Sequence, residues 1–597
     1  MKIGTDKIRE ELVEAALGSR PLDLVIRHVK LVNVFTGEIY RAEIGVYDRF
    51  IAHISADPDR PNREPKPLSA NNTFDGKGMY VIPGFIDPHV HIESTMMTPA
   101  NFAACVLPSG TTTVVTDPHE VANIMGIQAV KYMHAASEDL PMRQYILAPS
   151  CVPASPGLEN SGATLEAEDI AQILELDRVI GLGEIMDFAG VISNDKRIRS
   201  IVQEAEKRNG FLQGHSPRLA GRKLSAYLCG GPVSDHEVSV GSEAREKLRL
   251  GMYIDARESS MSRNVAEIID AVKSFPLTLS NLTLCTDDRE PEDLLEEGHM
   301  NHVVRRAVAE GLDPVVAIRC ATLNAAREIG IENLGAIAPG YVADLIIVPS
   351  LKELKPYAVF FEGKQVAQEG RLTVEIPQQT FPIENTNTIH LESSDETRFK
   401  IAAPIQNGRV STRVISYQSL DSNLTEFTIE ELPVKEGYLD ISHDTDLKYV
   451  AVLNRHKGFS NYSLGVIRNF GTEKGTAAST IAHDCHNLTV VYSTPAEAVL
   501  ATKELIDCGG GIVCILDDQV LAKLELPIFG ILSPLSCQAL SKNIPAIKNA
   551  YNTLGLRKSQ NPLLRTAVLS LSVIPMARIT DKGLVSVMDA RFVSLFL

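Results

Sequence analysis

A (β/α)8 TIM-type barrel inserted in a small β-sandwich, with a C-terminal α+β domain behind it, is the fold class this sequence predicts. Three observations carry it. Eight short strand-like runs alternate with helical runs between residues 80 and 331, strand-rich segments flank that stretch on both sides, and a mixed third region closes the chain. A chain of 597 residues exceeds one ordinary domain, on a prior of roughly 150 residues each.

Residues Ile8 to Leu17 have helical spacing. The stretch DLVIRHVKLVNVFTGEIYRAEIGVYDRFIAHI then alternates apolar and polar residues, with turn signals at Thr36-Gly37 and Asp48-Arg49. That pattern predicts several short strands in a half-buried antiparallel sheet. A polar, Pro-rich loop is expected over Asp57 to Lys66. From Tyr80 the strand runs are MYVIPGFID, TTTVVTD, RQYILAPS, VIGLGEI, FLQGH, VSDHE, LGMYIDA and LTLCTDD, with helices such as AEDIAQILEL and KRIRSIVQEAEKR between most of them. Short apolar strands alternating with helices predict a parallel sheet covered on both faces, closed as a barrel. Strand character returns around Ile337 in IAPGYVADLIIVPS and VFFEGKQVAQEG, as the other half of the amino-terminal sheet. The expected parts are therefore 1–79 and 332–376 for the sandwich, 80–331 for the barrel and 377–597 for the last domain. In that last part a polar, loop-like segment begins at about Pro377. Strands KYVAVLNRH, LGVIRNF, NLTVVYS and GGIVCILD and the helix PAEAVLATKELIDC follow.

Composition narrows the function classes. A hydrophobic fraction of 44% with 22% charged residues is that of a soluble globular protein. The net charge of −17 argues against nucleic acid, which needs a basic footprint. Nine cysteines, never spaced CxxC, fit thiols of a reducing compartment. The charged amino terminus lacks the apolar core of a secretory signal, and no run approaches the roughly 20 apolar residues that span a bilayer. A cytoplasmic protein without a membrane partner is expected.

The chemistry concentrates at strand ends. In Asp87-Pro-His89-Val-His91 the two histidines end the first barrel strand. Residues two apart on a strand point the same way, so both imidazoles can face one ion. Glu184, His215, His236 and Asp287 end later strands, on the face where barrels of this type place catalytic groups. Six ligand-type residues at five strand ends predict a metal site. Elsewhere, His483-Asp-Cys-His486-Asn487 fits a further metal, a lid over the barrel mouth or a hydrogen-bonded turn. His299 and His302, spaced i, i+3, fit a solvated helix face. Cys508-Gly-Gly-Gly-Ile-Val-Cys514 lacks the Gly-Lys-Ser/Thr of a phosphate loop and reads as a helix C-cap and turn.

The segments PGFIDPHVHIES, GTTTVVTDPHEVANIMG, GLGEIMDF, GHSPRLAG, GGPVSDHE and LCTDDREPEDL resemble the amidohydrolase superfamily and, within it, the adenine deaminase branch. AHDCHN and LSLSVIPMARITDKGLV extend the resemblance over nearly the whole chain. It implies a binuclear site: His89, His91 and Asp287 for the more buried ion, His215 and His236 for the second. Many relatives bridge the ions with a carboxylated lysine; here the corresponding strand offers Glu184. That oxygen-rich set points to two divalent ions, manganese first and iron or zinc as alternatives. The resemblance further implies a purine substrate, the free base adenine, and a homo-oligomer, a dimer. Asp287 would take the proton of the attacking water and pass it to the leaving amine. Asp117, His119 and Glu120 are candidates for protonating ring N1, Glu120 foremost; the plain alternative is a turn at Asp117-Pro118 and a helix cap at Glu120. Ser94 and Arg218 fit substrate contacts, and Arg218 equally fits a pairing with a nearby acid.

Other readings remain at this point. The zinc deaminase fold with H-x-E and P-C-x-x-C fails, because only His91-Ile-Glu93 imitates its first half and no PCxxC exists. An amino-sugar deacetylase or cyclic-amide hydrolase on the same barrel stays open, since Glu184 also suits a deacetylase. A metal-free scaffold is disfavoured by the full set of ligands.

Overall fold

The computed structural model describes residues 3–4, 8–56, 68–275, 279–378, 386–392, 395–420, 422–456, 461–556, 561–574 and 576–597. The loop expected over Asp57 to Lys66 lies outside the described residues. The first helix spans Arg9–Ala16, flanked by Ile8 and Leu17. Strands from both sides of the barrel then share one nine-stranded sheet. Its order is Arg371–Leu372, Lys364–Gln368, Ala358–Phe361, Leu345–Val348, Tyr80–Pro83, Leu22–Val32, Ile39–Tyr47 and Phe50–Ala56, with Ala70–Asp75 beside Leu22–Val32. The turns fall at the two predicted signals. The three strands of the stretch from Leu22 to Ala56 pair antiparallel, as expected, while the sheet as a whole is mixed. Leu22–Val32 pairs antiparallel with Ile39–Tyr47, but parallel with Ala70–Asp75 along its first half and Tyr80–Pro83 along its second. The periodicity of a strand marks its buried face and says nothing of its neighbour's direction.

The eight barrel strands are β1 (Phe85–His91), β2 (Thr111–Thr116), β3 (Arg143–Ala148), β4 (Val179–Ile185), β5 (Phe211–Gly214), β6 (Ser234–Asp235), β7 (Tyr253–Arg257) and β8 (Leu282–Cys285). Each expected run supplies one strand. MYVIPGFID is divided at Gly84, its first half joining the outer sheet and its second half the barrel. Strands β1 to β5 pair in parallel, as do β6 to β8. The two arcs meet twice. Val233 N–H donates to Leu212 C=O at 3.0 Å between β5 and β6, and Asp287–Asp288, just past β8, pairs in parallel with Val90 and His91 of β1. β2 is buried at all its positions, as a sheet covered on both faces requires.

Helices cover the outside through apolar stripes. In Lys196–Glu206, Asp195 accepts from the Arg197 and Ile198 N–H groups as N-cap, and Ile198, Ile201, Val202 and Ala205 are buried. That spacing is one helix face. Burying a side chain such as Ile201 contributes about 1.5–3 kcal/mol.

The last region carries a nine-stranded sheet from Gly408–Tyr417 to Gln519–Glu525 and a three-stranded one over Ala577–Thr580, Gly583–Ser586 and Arg591–Val593. Helix Pro495–Cys508 ends at Gly509 with φ +78° before strand Gly511–Leu516, so the cysteine-flanked glycines are the expected cap and turn. One continuous apolar cluster joins Phe102 and Ala103 of the barrel to Ile512, Leu540 and Ile544. Asn101 Nδ2 adds hydrogen bonds to the Pro534 and Leu535 carbonyls, at 2.9 and 3.0 Å. These contacts seat the last region on the C-terminal mouth of the barrel.

Candidate metal and substrate site

The six ligand-type side chains converge at that mouth. Asp287 Oδ1 lies 3.6 Å from His89 Nε2 and 3.4 Å from His91 Nε2. Glu184 spans the site: Oε1 is 3.3 Å from His91 Nε2, while Oε2 is 2.6 Å from His215 Nδ1 and 3.2 Å from His236 Nε2. All but half-buried His215 are enclosed. His89 stacks on His236 with ring centroids 3.9 Å apart.

Neighbours fix how these groups point. Gln213 Nε2 donates to the Pro88 carbonyl at 3.0 Å, which turns Oε1 towards His89 Nδ1 at 2.9 Å. His91 Nδ1 meets the Asp117 carbonyl at 3.0 Å. Both rings thereby donate outward from Nδ1 and present Nε2 inward, as metal-binding histidines do. Asp87 accepts from Thr286 Oγ1 at 2.5 Å and from the Thr286 N–H at 3.2 Å, tying β1 to the residue before Asp287. Asp287 itself has φ +58°, a conformation that costs a non-glycine residue about 1–3 kcal/mol and collects at functional sites. Its Oδ2 accepts from Arg257 Nη1, which also pairs with Glu237 Oε1 at 2.7 Å. Asp117 Oδ2 accepts the Glu184 N–H at 3.0 Å. Gly183 permits this approach, since a Cβ there would stand 2.2 Å from that oxygen.

The donor set fits divalent cations. Ligand atoms about 2.1 Å from one ion stand about 3.0–3.4 Å apart at ordinary coordination angles, close to the separations around His91, Asp287 and Glu184. His89 Nε2 is buried with no hydrogen-bond partner, the state of a nitrogen reserved for an ion. His89, His91 and Asp287 form one possible ligand group; His89, Glu184 and His236 form another.

Glu120 is arranged differently. His483 Nδ1 lies 2.5 Å from its Oε1, and His486 Nε2 contacts Oε2. In this structure these are direct hydrogen bonds, and the same three residues also form a group able to hold a further ion. Burial alone would raise the Glu120 carboxyl, but the charges of His483 and His486 hold it well below the ordinary range. Against its own burial penalty, His483 is pushed up to about 9 by Glu120. His119 links the two clusters, Nε2 lying 3.6 Å from Glu120 Oε1 and Nδ1 3.6 Å from Glu184 Oε1.

A cavity opens beside them. Its polar wall includes Glu93, Ser94, Glu120, Asp288 and His483; its apolar wall includes Ile481, Ile531, Leu563 and Leu564 of the last region. Ser94 Oγ donates to Asp288 Oδ1. Arg218 is exposed and outside this lining, with its N–H on Glu243 Oε1 at 2.7 Å. His299 overturns the reading of a solvated face: it is 1% exposed, meets Thr111 Oγ1 at 2.9 Å and packs on Phe102. It precedes helix Met300–Ala309, whose buried side rests against the barrel. The sequence reading passed over Gln213, Arg257, Glu93 and Asp288. Gln213 and Glu93 had a signal, two residues before His215 and two after His91.

The amidohydrolase family model matches residues 80–366, and that of the adenine deaminase C-terminal domain matches 422–591. The adenine deaminase 2 of Carboxydothermus hydrogenoformans is 38% identical over 97% of this chain and 98% of its own. The adenine deaminases of Kosmotoga olearia and Methanothrix thermoacetophila are 37% and 39% identical over 98% of this chain and 99% of theirs. With its ligand cluster at the barrel mouth and its last region matched as well, the chain belongs to the adenine deaminase family of the amidohydrolases.

Proposed function

We propose that the protein hydrolyses adenine to hypoxanthine and ammonia. The observation that carries this reading is the convergence of His89, His91, Glu184, His215, His236 and Asp287 at one barrel mouth, with Glu184 reaching both halves of the cluster. Two divalent cations, manganese first and iron or zinc as alternatives, would be held by His89, His91 and Asp287 and by His215 and His236, with Glu184 between them. When bound, such ions lower the pKa of water so that hydroxide is available near neutral pH.

The chain's own groups move the protons. Asp287 accepts the proton of the water that adds to C6 and returns it to the departing amine; Arg257 on Oδ2 leaves Oδ1 facing the reaction. Addition at C6 also needs a proton at ring N1. We assign that delivery to Glu120 and His483 acting as a unit, since groups this strongly coupled titrate together. His119 and Asp117 orient that unit towards Glu184. Ser94 holds Asp288 at the cavity wall. The nine-stranded outer sheet, contributed by 1–79 and 332–376 together with Tyr80–Pro83, would be the sandwich interrupted by the barrel, which takes the rest of 80–331, with 377–597 as the α+β domain.

Incubating manganese-loaded protein with adenine and following ammonia and hypoxanthine tests the reading. Ammonia release from adenine is expected; turnover of an acetylated amino sugar or a cyclic amide instead would overturn it. No helix among the described residues is long and apolar enough to cross a membrane. The expected dimer is checked by size-exclusion chromatography with light scattering.

A further inference from the structure

The carboxyl groups of the cavity differ in what they already hold. Both oxygens of Glu120 are taken by His483 and His486. Asp288 accepts from Ser94. Glu93 is 3% exposed, lines the same cavity, and neither of its oxygens is hydrogen-bonded to another residue. A buried carboxyl with no partner beyond its own backbone N–H is unfavourable, burial pushes it up to about 7, and it calls for an explanation. Its place supplies one. Glu93 lies in the short turn Ile92–Thr95 that continues β1 beyond His91, so the strand that presents the ligand histidines also fixes this group beside them. The same cavity is lined by the apolar residues Ile481, Ile531 and Leu563, which suit the flat face of an aromatic ring.

We infer that Glu93 is a substrate-binding residue whose carboxyl pairs with an N–H group on the edge of a planar nitrogen heterocycle clamped between the barrel mouth and the last region. This rests on the reading of adenine as substrate. Free adenine meets the requirement, because its exocyclic amine and ring N–H are donors and the free protein leaves the matching acceptor unpaired. The free protein therefore carries an unfavourable group that the substrate relieves, an arrangement found where binding is favoured over stability.

Glu93→Gln and Glu93→Leu, made in the full chain and loaded with manganese, test the inference through three readouts. The KM for adenine should rise about 10- to 100-fold in Glu93→Leu, the loss expected when a buried donor is left without its acceptor, and less in Glu93→Gln, which keeps one acceptor. Metal content should equal that of the wild type. The unfolding midpoint of the substrate-free protein should be unchanged or higher in both variants, opposite to the effect of removing a structural partner. An unchanged KM in Glu93→Leu, a fall in bound metal, or a lowered midpoint in both variants would each overturn the assignment. Failure of the adenine reading is seen separately, as wild-type protein that releases no ammonia from adenine, and the assignment then falls with it.

Discussion

Replacing Lys247 with methionine tests whether one buried cation holds two ligand-bearing loops. Lys247 is 0% exposed. Its Nζ lies 2.5 Å from Asp235 Oδ2, 2.6 Å from Glu243 Oε1 and 2.7 Å from the Ser216 carbonyl. Ser216 follows His215 and Asp235 precedes His236, so a single ammonium ties together the segments carrying both histidines. Methionine keeps most of the apolar stem and removes the charge, leaving two carboxylates that are 0% and 8% exposed. Breaking a buried ion pair from one side costs about 3–5 kcal/mol. At about 2–4 °C per kcal/mol for a unit of the barrel's size, the unfolding midpoint should fall by about 6–20 °C. The damage should also be local to His215 and His236. His89, His91 and Asp287 are held by Gln213, the Asp117 carbonyl and Arg257 instead. Bound metal should thus drop from two ions towards one. Thermal unfolding followed by circular dichroism and metal analysis of the desalted protein give both quantities. A variant melting within about 2 °C of the wild type with its full metal content would refute the reasoning.

Asp287→Asn keeps a ligand oxygen but cannot take a proton, so turnover should fall about 10²- to 10⁴-fold; a near-normal rate with metal bound would dismiss Asp287 as the proton carrier. Glu184→Ala removes the one carboxylate that reaches both halves of the cluster, and metal analysis should show a loss; two tightly held ions would refute its role. Glu120→Gln and His483→Asn should each lower kcat with metal content intact. If they act as a unit, the double variant should be no slower than the worse single one, whereas multiplicative losses would separate them. Chelation should abolish ammonia release and manganese restore it, and activity that survives complete metal removal would exclude the metal-assisted route.

The parts of this molecule legible in its sequence are those set by local rules. Strand periodicity and strand ends located β1 to β8 and all six ligand-type residues, because a barrel puts every strand end on one face. The strands Gly408–Tyr417 and Thr425–Lys435 escaped. The second of these exposes Ile429 at 62% while carrying polar residues along most of its length, so its alternation resembles a loop. His299 was misjudged because i, i+3 spacing identifies a helix face without saying what lies against it. Arg257, at the end of β7, could have been flagged by position, but its pairing with Asp287 and Glu237 depends on three separate strand ends meeting. The unpaired state of Glu93 is still further from the sequence, since the missing partner is defined only once every other donor in the cavity has been assigned.

The same accounting explains why the substrate site needs two regions. The barrel contributes polar groups, yet a purine presents two apolar faces that gain most from apolar walls. Ile481, Ile531, Leu563 and Leu564 come from the last region, and the barrel face they cover is the one carrying Glu93, Ser94 and Asp288. Apolar contact around Phe102, Leu540 and Ile544 is the main source of affinity between the regions, because a buried ion pair such as Glu120 with His483 recovers little beyond its own desolvation. What that pair supplies is register. Glu120 meets His483 and His486 together, one on each oxygen, so two contacts at one carboxylate align the last region on the barrel. On the proposed mechanism the residues that align the two regions are also the ones that protonate the ring, so correct docking and a competent acid would be achieved in the same step.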